Sequence, residues 1–159
     1  MKKSLITLVF CLATICSCIY GQTARKYSNE FLAIGVGANG LGMSNSNVAL
    51  VNDVTAGYWN PAGLLSIKSD LQVGAMHSEY FAGIAKYDYL GIAHSIDDQS
   101  TVGFAAIRFG VDDIPNTTQL IDNEGRIDYD RITLFTAADY AFLFSYARKL
   151  PIEGMSLGG

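Results

Sequence analysis

Along the chain the hydrophobic pattern changes twice. An apolar run of about 12 residues, Leu5 to Cys16, follows the basic start Met1-Lys2-Lys3, the layout of a secretory signal peptide. A helix needs roughly 17 to 25 apolar residues to cross a bilayer, so this run is too short for a permanent anchor. From Gln22 to about Lys68 the chain is rich in glycine, asparagine and small apolar residues, and no helical or strand period lasts. This predicts a compacted irregular segment. From about Asp70 onward, segments of some ten residues rich in aromatic, β-branched and glycine residues alternate with polar turns, which predicts strands.

The strands are placed at 70–80, 83–96, 101–111, 131–149 and 155–159. Asp97-Asp98-Gln99-Ser100 is read as a tight turn, 112–130 as a long acidic loop, and Pro151-Ile152-Glu153-Gly154 as another short turn. Short turns alternating with long loops are the habit of outer-membrane barrels. Ala138, Tyr140, Phe142, Phe144 and Tyr146 share one face of the fourth segment, and Asp139, Ala141 and Ser145 share the other. That alternation suits a strand between lipid and a wet or packed interior, and a soluble sandwich strand also alternates. The third segment is mixed: Ile107, Phe109 and Val111 share a face, but Val102 and Phe104 fall with Arg108.

The leader also bears on chemistry. Cleavage after Gly21 would leave Gln22 first, whereas Ile15-Cys16-Ser17-Cys18 loosely resembles a lipoprotein processing site at Cys18. All three cysteines (Cys11, Cys16, Cys18) lie in this segment, so a chain cut after Gly21 would have no thiol for a disulfide, a zinc cluster or a nucleophile. Removal of Lys2 and Lys3 changes the formal charge from −4 to −6, with nine basic residues against fifteen acidic ones. Such an acidic balance argues against a nucleic-acid partner.

No catalytic, cofactor-binding or metal-binding residues are expected, and no cofactor. Gly35-Val36-Gly37-Ala38-Asn39-Gly40 fits a dinucleotide fingerprint, with Asp53 beyond it, but that site needs a preceding strand and a following helix. Leu41 to Asn47 favours turns and caps instead. His77 and His94 read as strand residues without a catalytic set nearby in sequence. The stretch Asp122 to Asp130 has oxygen ligands enough for calcium but departs from the calcium-loop spacing, and reads as a solvated external loop.

Phe31 to Ala38, Leu41-Gly42-Met43 and, above all, Asp53-Val54-Thr55-Ala56-Gly57-Tyr58-Trp59-Asn60-Pro61-Ala62-Gly63-Leu64 carry a family likeness. Val111 to Thr117 and Ala137-Ala138-Asp139-Tyr140 extend it. On these residues the chain resembles the PorV/PorQ family, part of the FadL-like group of outer-membrane barrels, and departs from its pattern at Asn39 and Ser44-Asn45-Ser46. The resemblance implies an all-β, antiparallel transmembrane barrel of about fourteen strands, with an irregular, short-helical hatch in its interior. The expected organisation is signal peptide 1–21, hatch 22–68 with Tyr58, Trp59, Asn60, Pro61, Ala62, Gly63 and Leu64 as its structural motif, and first barrel strands 69–159.

The residues themselves fit such a role: Asn60-Pro61 breaks a strand, proline suits the first turn of a short helix, and Trp59 offers a packing anchor. Glycines 35, 37, 40 and 42 would let backbones pack closely. About four complete strands are read, whereas a single-chain barrel closes with at least eight, so further strands are expected beyond these. The implied function is outer-membrane protein secretion or surface attachment of the type IX kind. It would act by binding exported cargo, with secretion components and outer-membrane lipid as partners. The alternatives are a FadL-like channel for hydrophobic small molecules and a soluble secreted all-β binding protein.

Overall fold

The computed structural model describes residues 29–121 and 124–159. The leader, the cleavage sites at Gly21 and Cys18, the three cysteines, and Asp122 and Asn123 lie outside the described residues.

Five strands form one antiparallel sheet in sequence order: β1 Leu71–Tyr80, β2 Ala85–Asp97, β3 Ser100–Asn116, β4 Thr133–Lys149 and β5 Ser156–Gly158. The fold is therefore all-β and meander-like. Among the described residues the sheet stays open, with β1 and β5 as its edges. Residues 29–70 hold no strand but four short helical turns, Glu30–Ala33, Ala38–Gly42, Ala56–Trp59 and Pro61–Ser66.

The turn at 97–100 forms as expected, with Asp97 paired to Ser100 and the Asp97 carboxylate accepting from the Gln99 amide at 2.8 Å. Most strand ends fall within two residues of expectation, β4 beginning at Thr133 rather than 131, and two boundaries differ for a visible reason. β2 begins at Ala85 rather than 83, because Phe81 and Ala82 (φ 55° and 57°) and Gly83 (φ 89°) turn the chain through left-handed backbone. β3 runs on to Asn116, so 112–116 is strand and the long connection is 117–132.

Asp112, Asp113 and Pro115 look like turn residues, yet the ladder resumes past them at Ile114↔Phe135, Pro115↔Leu134 and Asn116↔Thr133. A register shift between Val111 and Ile114, with Asp113 at φ 56°, absorbs the irregularity as a bulge. The Asp112 carboxylate is matched by Lys86 at 3.1 Å and Arg108 at 2.6 Å. Cross-strand partners thus override the local turn preference.

The two faces of the sheet differ. On one, Tyr87, Tyr89, Ala105 and Ile107 are buried with Phe31 and Val36 of the N-terminal segment. On the same face Ala93 and Ala147 are buried with Val51, Val54, Ala56 and Leu64. The core therefore lies between residues 31–67 and one side of the sheet. The period-2 pattern of β2, odd positions Ala85 to Ala93 buried and even positions accessible, records that one-sided cover.

Ile107→Ala, at 1% exposure, is expected to lower unfolding free energy by about 2–5 kcal/mol. Phe144→Ala, at 80% exposure in the same sheet, is expected to cost less, about 0.5–1.5 kcal/mol through its ring contact with Phe104. Denaturant midpoints of the two variants, measured side by side, check the assignment of the faces.

Candidate functional site

Residues 53–64 fasten the N-terminal segment to the sheet. The Asp53 carboxylate accepts from the Thr55 amide at 2.8 Å and its hydroxyl at 2.5 Å, fixing the turn into the helix Ala56–Trp59. Trp59 donates its indole N–H to the Val36 carbonyl at 2.9 Å, and its ring packs against both core clusters. Tyr58 donates its hydroxyl to the Leu32 carbonyl and meets the indole edge-on, with ring centroids 4.8 Å apart. Burial pushes the Tyr58 hydroxyl pKa up from its ordinary value.

Asn60 ends that helix and caps the next. It is extended (φ −157°), accepts from the Ala62 amide at 3.3 Å and donates to the Val48 carbonyl at 3.1 Å, while Pro61 takes the first position of the helix Pro61–Ser66. Proline costs nothing there because its missing N–H would have no partner in the first turn. A Cβ on Gly63 would stand 2.5 Å from the Val51 carbonyl oxygen, and Leu64, 1% exposed, fills the second core cluster. From the sheet, Tyr89 donates its hydroxyl to the Val54 carbonyl at 3.1 Å, and the Met76 sulfur lies 3.2 Å from the Gly37 amide.

The glycine fingerprint has packing reasons of its own. Gly35 and Gly37 hold left-handed backbone (φ 97° and 81°), and a Cβ on Gly40 would press to 2.8 Å from the Trp59 ring. Gly42 has nothing within 4 Å of such a Cβ, so close packing does not explain that glycine. A five-residue helix, Ala38–Gly42, does form and takes in Leu41 and Gly42, the first two of the residues expected as turns and caps, while residues 43–45 are turn. A 3-10 turn rather than a strand precedes it.

The second feature is the other face of the sheet. The pairing register sets Leu71, Val73 and Ala75 of β1 beside His94, Ile92 and Leu90 of β2, then Val102, Phe104 and Ala106 of β3, then Tyr146, Phe144 and Phe142 of β4, so that His94 is the one basic or acidic side chain in these rows. Leu71, Val73, Leu90, Ile92, Phe142, Phe144 and Tyr146 are all exposed. Phe104 stacks against Phe142 and tilts onto Phe144, at 6.3 and 4.9 Å between centroids. A contiguous apolar area of this kind marks a protein or membrane contact. Val102 and Phe104, whose sharing of a face with Arg108 blurred the sequence pattern, belong to it.

At one end the apolar rows give way to ionisable ones. His77 lies 2.6 Å from the Asp88 carboxylate, Arg108 spans Asp88 at 3.6 Å and Asp112 at 2.6 Å, and Lys86 reaches Asp112 at 3.1 Å. This network was not legible in the sequence, because its members come from three strands. His94, on β2, instead hydrogen-bonds the Asp70 carbonyl at 3.0 Å. Within the acidic stretch Asp128 accepts from the Asp130 amide and pairs with Arg131 at 3.0 Å, while Arg126 pairs with Glu124. Among the described residues no group of three or more histidine, cysteine or acidic side chains is arranged to hold a metal ion, and no helix is long and apolar enough to cross a membrane.

Compared with protein-family models, curated proteins and solved structures, the chain matches none.

Trp59→Phe removes the bond to Val36 but keeps most of the ring, and is expected to cost about 1–3 kcal/mol through the unpaired carbonyl. Trp59→Ala is expected to cost about 3–5 kcal/mol. Limited proteolysis should then cut within residues 29–67 of the alanine variant well before it cuts the sheet. Equal cutting of the two variants would show that Trp59 does not fasten the segment.

Proposed function

We propose that this chain is part of an outer-membrane β-barrel protein of the PorV/PorQ type, which assists protein secretion or surface attachment by binding exported cargo, without catalysing a reaction. The observation that carries this reading is the two-sided sheet: one face is covered by the chain's own N-terminal segment, and the other exposes aromatic and aliphatic side chains. In a barrel the covered face would be the interior, residues 29–67 the hatch, and the exposed face the lipid contact.

Lengths support it. On β4 the positions Leu134, Thr136, Ala138, Tyr140, Phe142, Phe144 and Tyr146 carry no charge. They span about 40 Å of strand, or about 30 Å vertically at the tilt of such barrels, against an apolar band of roughly 25 Å; across the neighbouring strands the rows without a carboxylate, lysine or arginine are those of Phe142 to Tyr146, since Arg108 and Asp88 stand in the row of Tyr140. The exported location rests on the leader, and the secretion role on the Tyr58 to Leu64 motif and its family resemblance. Barrels satisfy their backbone groups by closing, so the free edges of β1 and β5 would pair with further strands.

Membrane fractionation of the native full-length product is expected to recover it only with detergent, and recovery in the soluble periplasmic fraction would sink the barrel reading. Phe144→Arg is expected to weaken insertion by about 2–4 kcal/mol if the side chain sits near mid-bilayer, seen as loss of folded protein from the membrane fraction. Deletion of the gene, followed by profiling of surface proteins, tests the role itself. Loss of attached cargo is expected; unchanged cargo with impaired uptake of hydrophobic compounds would favour the FadL-like channel.

A further inference from the structure

The fold itself gives no reason for Gly42 or for the side chain of Asn47. A Cβ on Gly42 meets nothing within 4 Å, and the backbone there is not left-handed. Asn47 opens a turn, its carbonyl accepting from the Leu50 and Val51 amides at 3.1 and 3.0 Å. Asparagine suits turns because its side chain bonds backbone two residues on. Here that side chain has no hydrogen-bond partner among the described residues, although Asn47 is only 5% exposed. An amide buried without a partner costs free energy. Fully shielded side-chain atoms without a partner occur at Asn45, Gln72 and Tyr87 and not at Asn47, so the accessible remnant of Asn47 includes its amide.

Both residues line one cavity of about 440 Å³, formed wholly by residues 38–53 and within the volume range of small-molecule sites. Asn39 and Asn52 bring two more amides to it, also without side-chain hydrogen bonds. Asp53 brings a carboxylate whose Oδ1 is taken by the Thr55 amide and hydroxyl, which leaves Oδ2. Met43 and Leu50 supply apolar surface, and the lining contains no basic residue.

Each amide offers two donors and an acceptor, so the lining is rich in both. A phosphate only accepts and would face the Asp53 carboxylate, whereas an ammonium only donates and would leave the amide N–H groups unused. A hydroxyl does both. A ring with neighbouring hydroxyls at its edge and C–H groups on its face matches amides and a carboxylate together with apolar side chains. We propose that this cavity binds one neutral sugar unit through Asn39, Asn47, Asn52 and Asp53, with position 42 kept small to leave it room. The site goes beyond the barrel reading and depends only on residues 38–53.

The test uses the full-length protein, in detergent where membranes yield it. Calorimetric titration with the methyl glycosides of glucose, galactose, mannose and N-acetylglucosamine is expected to show saturable binding of at least one, at least tenfold tighter than that of glucuronic acid. Gly42→Val, which puts a side chain into the open space, should weaken that binding at least tenfold while the sugar-free protein stays folded. Asn47→Leu, of similar size, should abolish binding and leave the sugar-free thermal midpoint unchanged or raised, since no hydrogen bond is lost. A lowered midpoint would assign Asn47 to the fold and overturn its part in the site. Binding of none of the glycosides, equal binding of glucuronic acid, or binding unchanged in Gly42→Val would overturn the site itself. Tighter binding of trialanine would also overturn it, marking a peptide site instead. Membrane fractionation is independent of all these outcomes, so the barrel reading stands or falls separately.

Discussion

Trp59 sits where the two core clusters meet, with its indole N–H on the Val36 carbonyl and its ring against Gly40. That contact requires the short helix Ala56–Trp59 to stop on time, which Asn60 and Pro61 ensure, and requires a glycine at position 40. An irregular segment cannot satisfy its own backbone as helices and sheets do, so it must borrow partners or face water. Here the borrowed partners are specific: Tyr58 to Leu32, Trp59 to Val36, Asn60 to Val48, and Tyr89 from the sheet to Val54. The motif and the glycine-rich run before it are two halves of one packing arrangement.

With one face covered in this way, the other must be explained by something outside the described residues. Burial of Tyr87 and Ile107 on the covered side leaves Phe104, Phe142 and Phe144 grouped on the opposite side. In water those side chains would be a liability; against lipid or a partner they cost nothing. The ion-pair network beside them is nearly self-neutralising. Partial burial of Arg108 and Asp112, with side chains 24% and 26% exposed, makes their mutual pairing more useful than a surface ion pair in open water.

The parts of the fold legible in the sequence were those written in local patterns. The irregular stretch before Asp70, the change to strands after it, the Asp97–Ser100 turn and the two faces of β4 all follow from residue type and period. Position 61 as a helix start and Asn60 as a break also follow, because each depends only on its own backbone. The continuation of β3 through Asp112, Asp113 and Pro115 did not. Local turn preference points the other way, and the partners that settle it, Lys86 and residues 133–135, lie 17 to 26 positions away.

Of the candidate site, the residues Tyr58 to Leu64 were legible as a motif, but their contacts were not. A sequence shows that a tryptophan is available as an anchor; only the folded chain shows that Gly40 makes room for its ring. Likewise His77, Lys86, Asp88, Arg108 and Asp112 read as scattered polar positions until the register of β1, β2 and β3 brings them together on one face. By itself the sequence determined the element types, the turns and the alternation along each strand, since these depend on neighbours within a few residues. Only the tertiary structure decided which face is covered, which apolar side chains remain exposed and which charges meet, because those outcomes depend on strand register and on packing between segments distant in the chain.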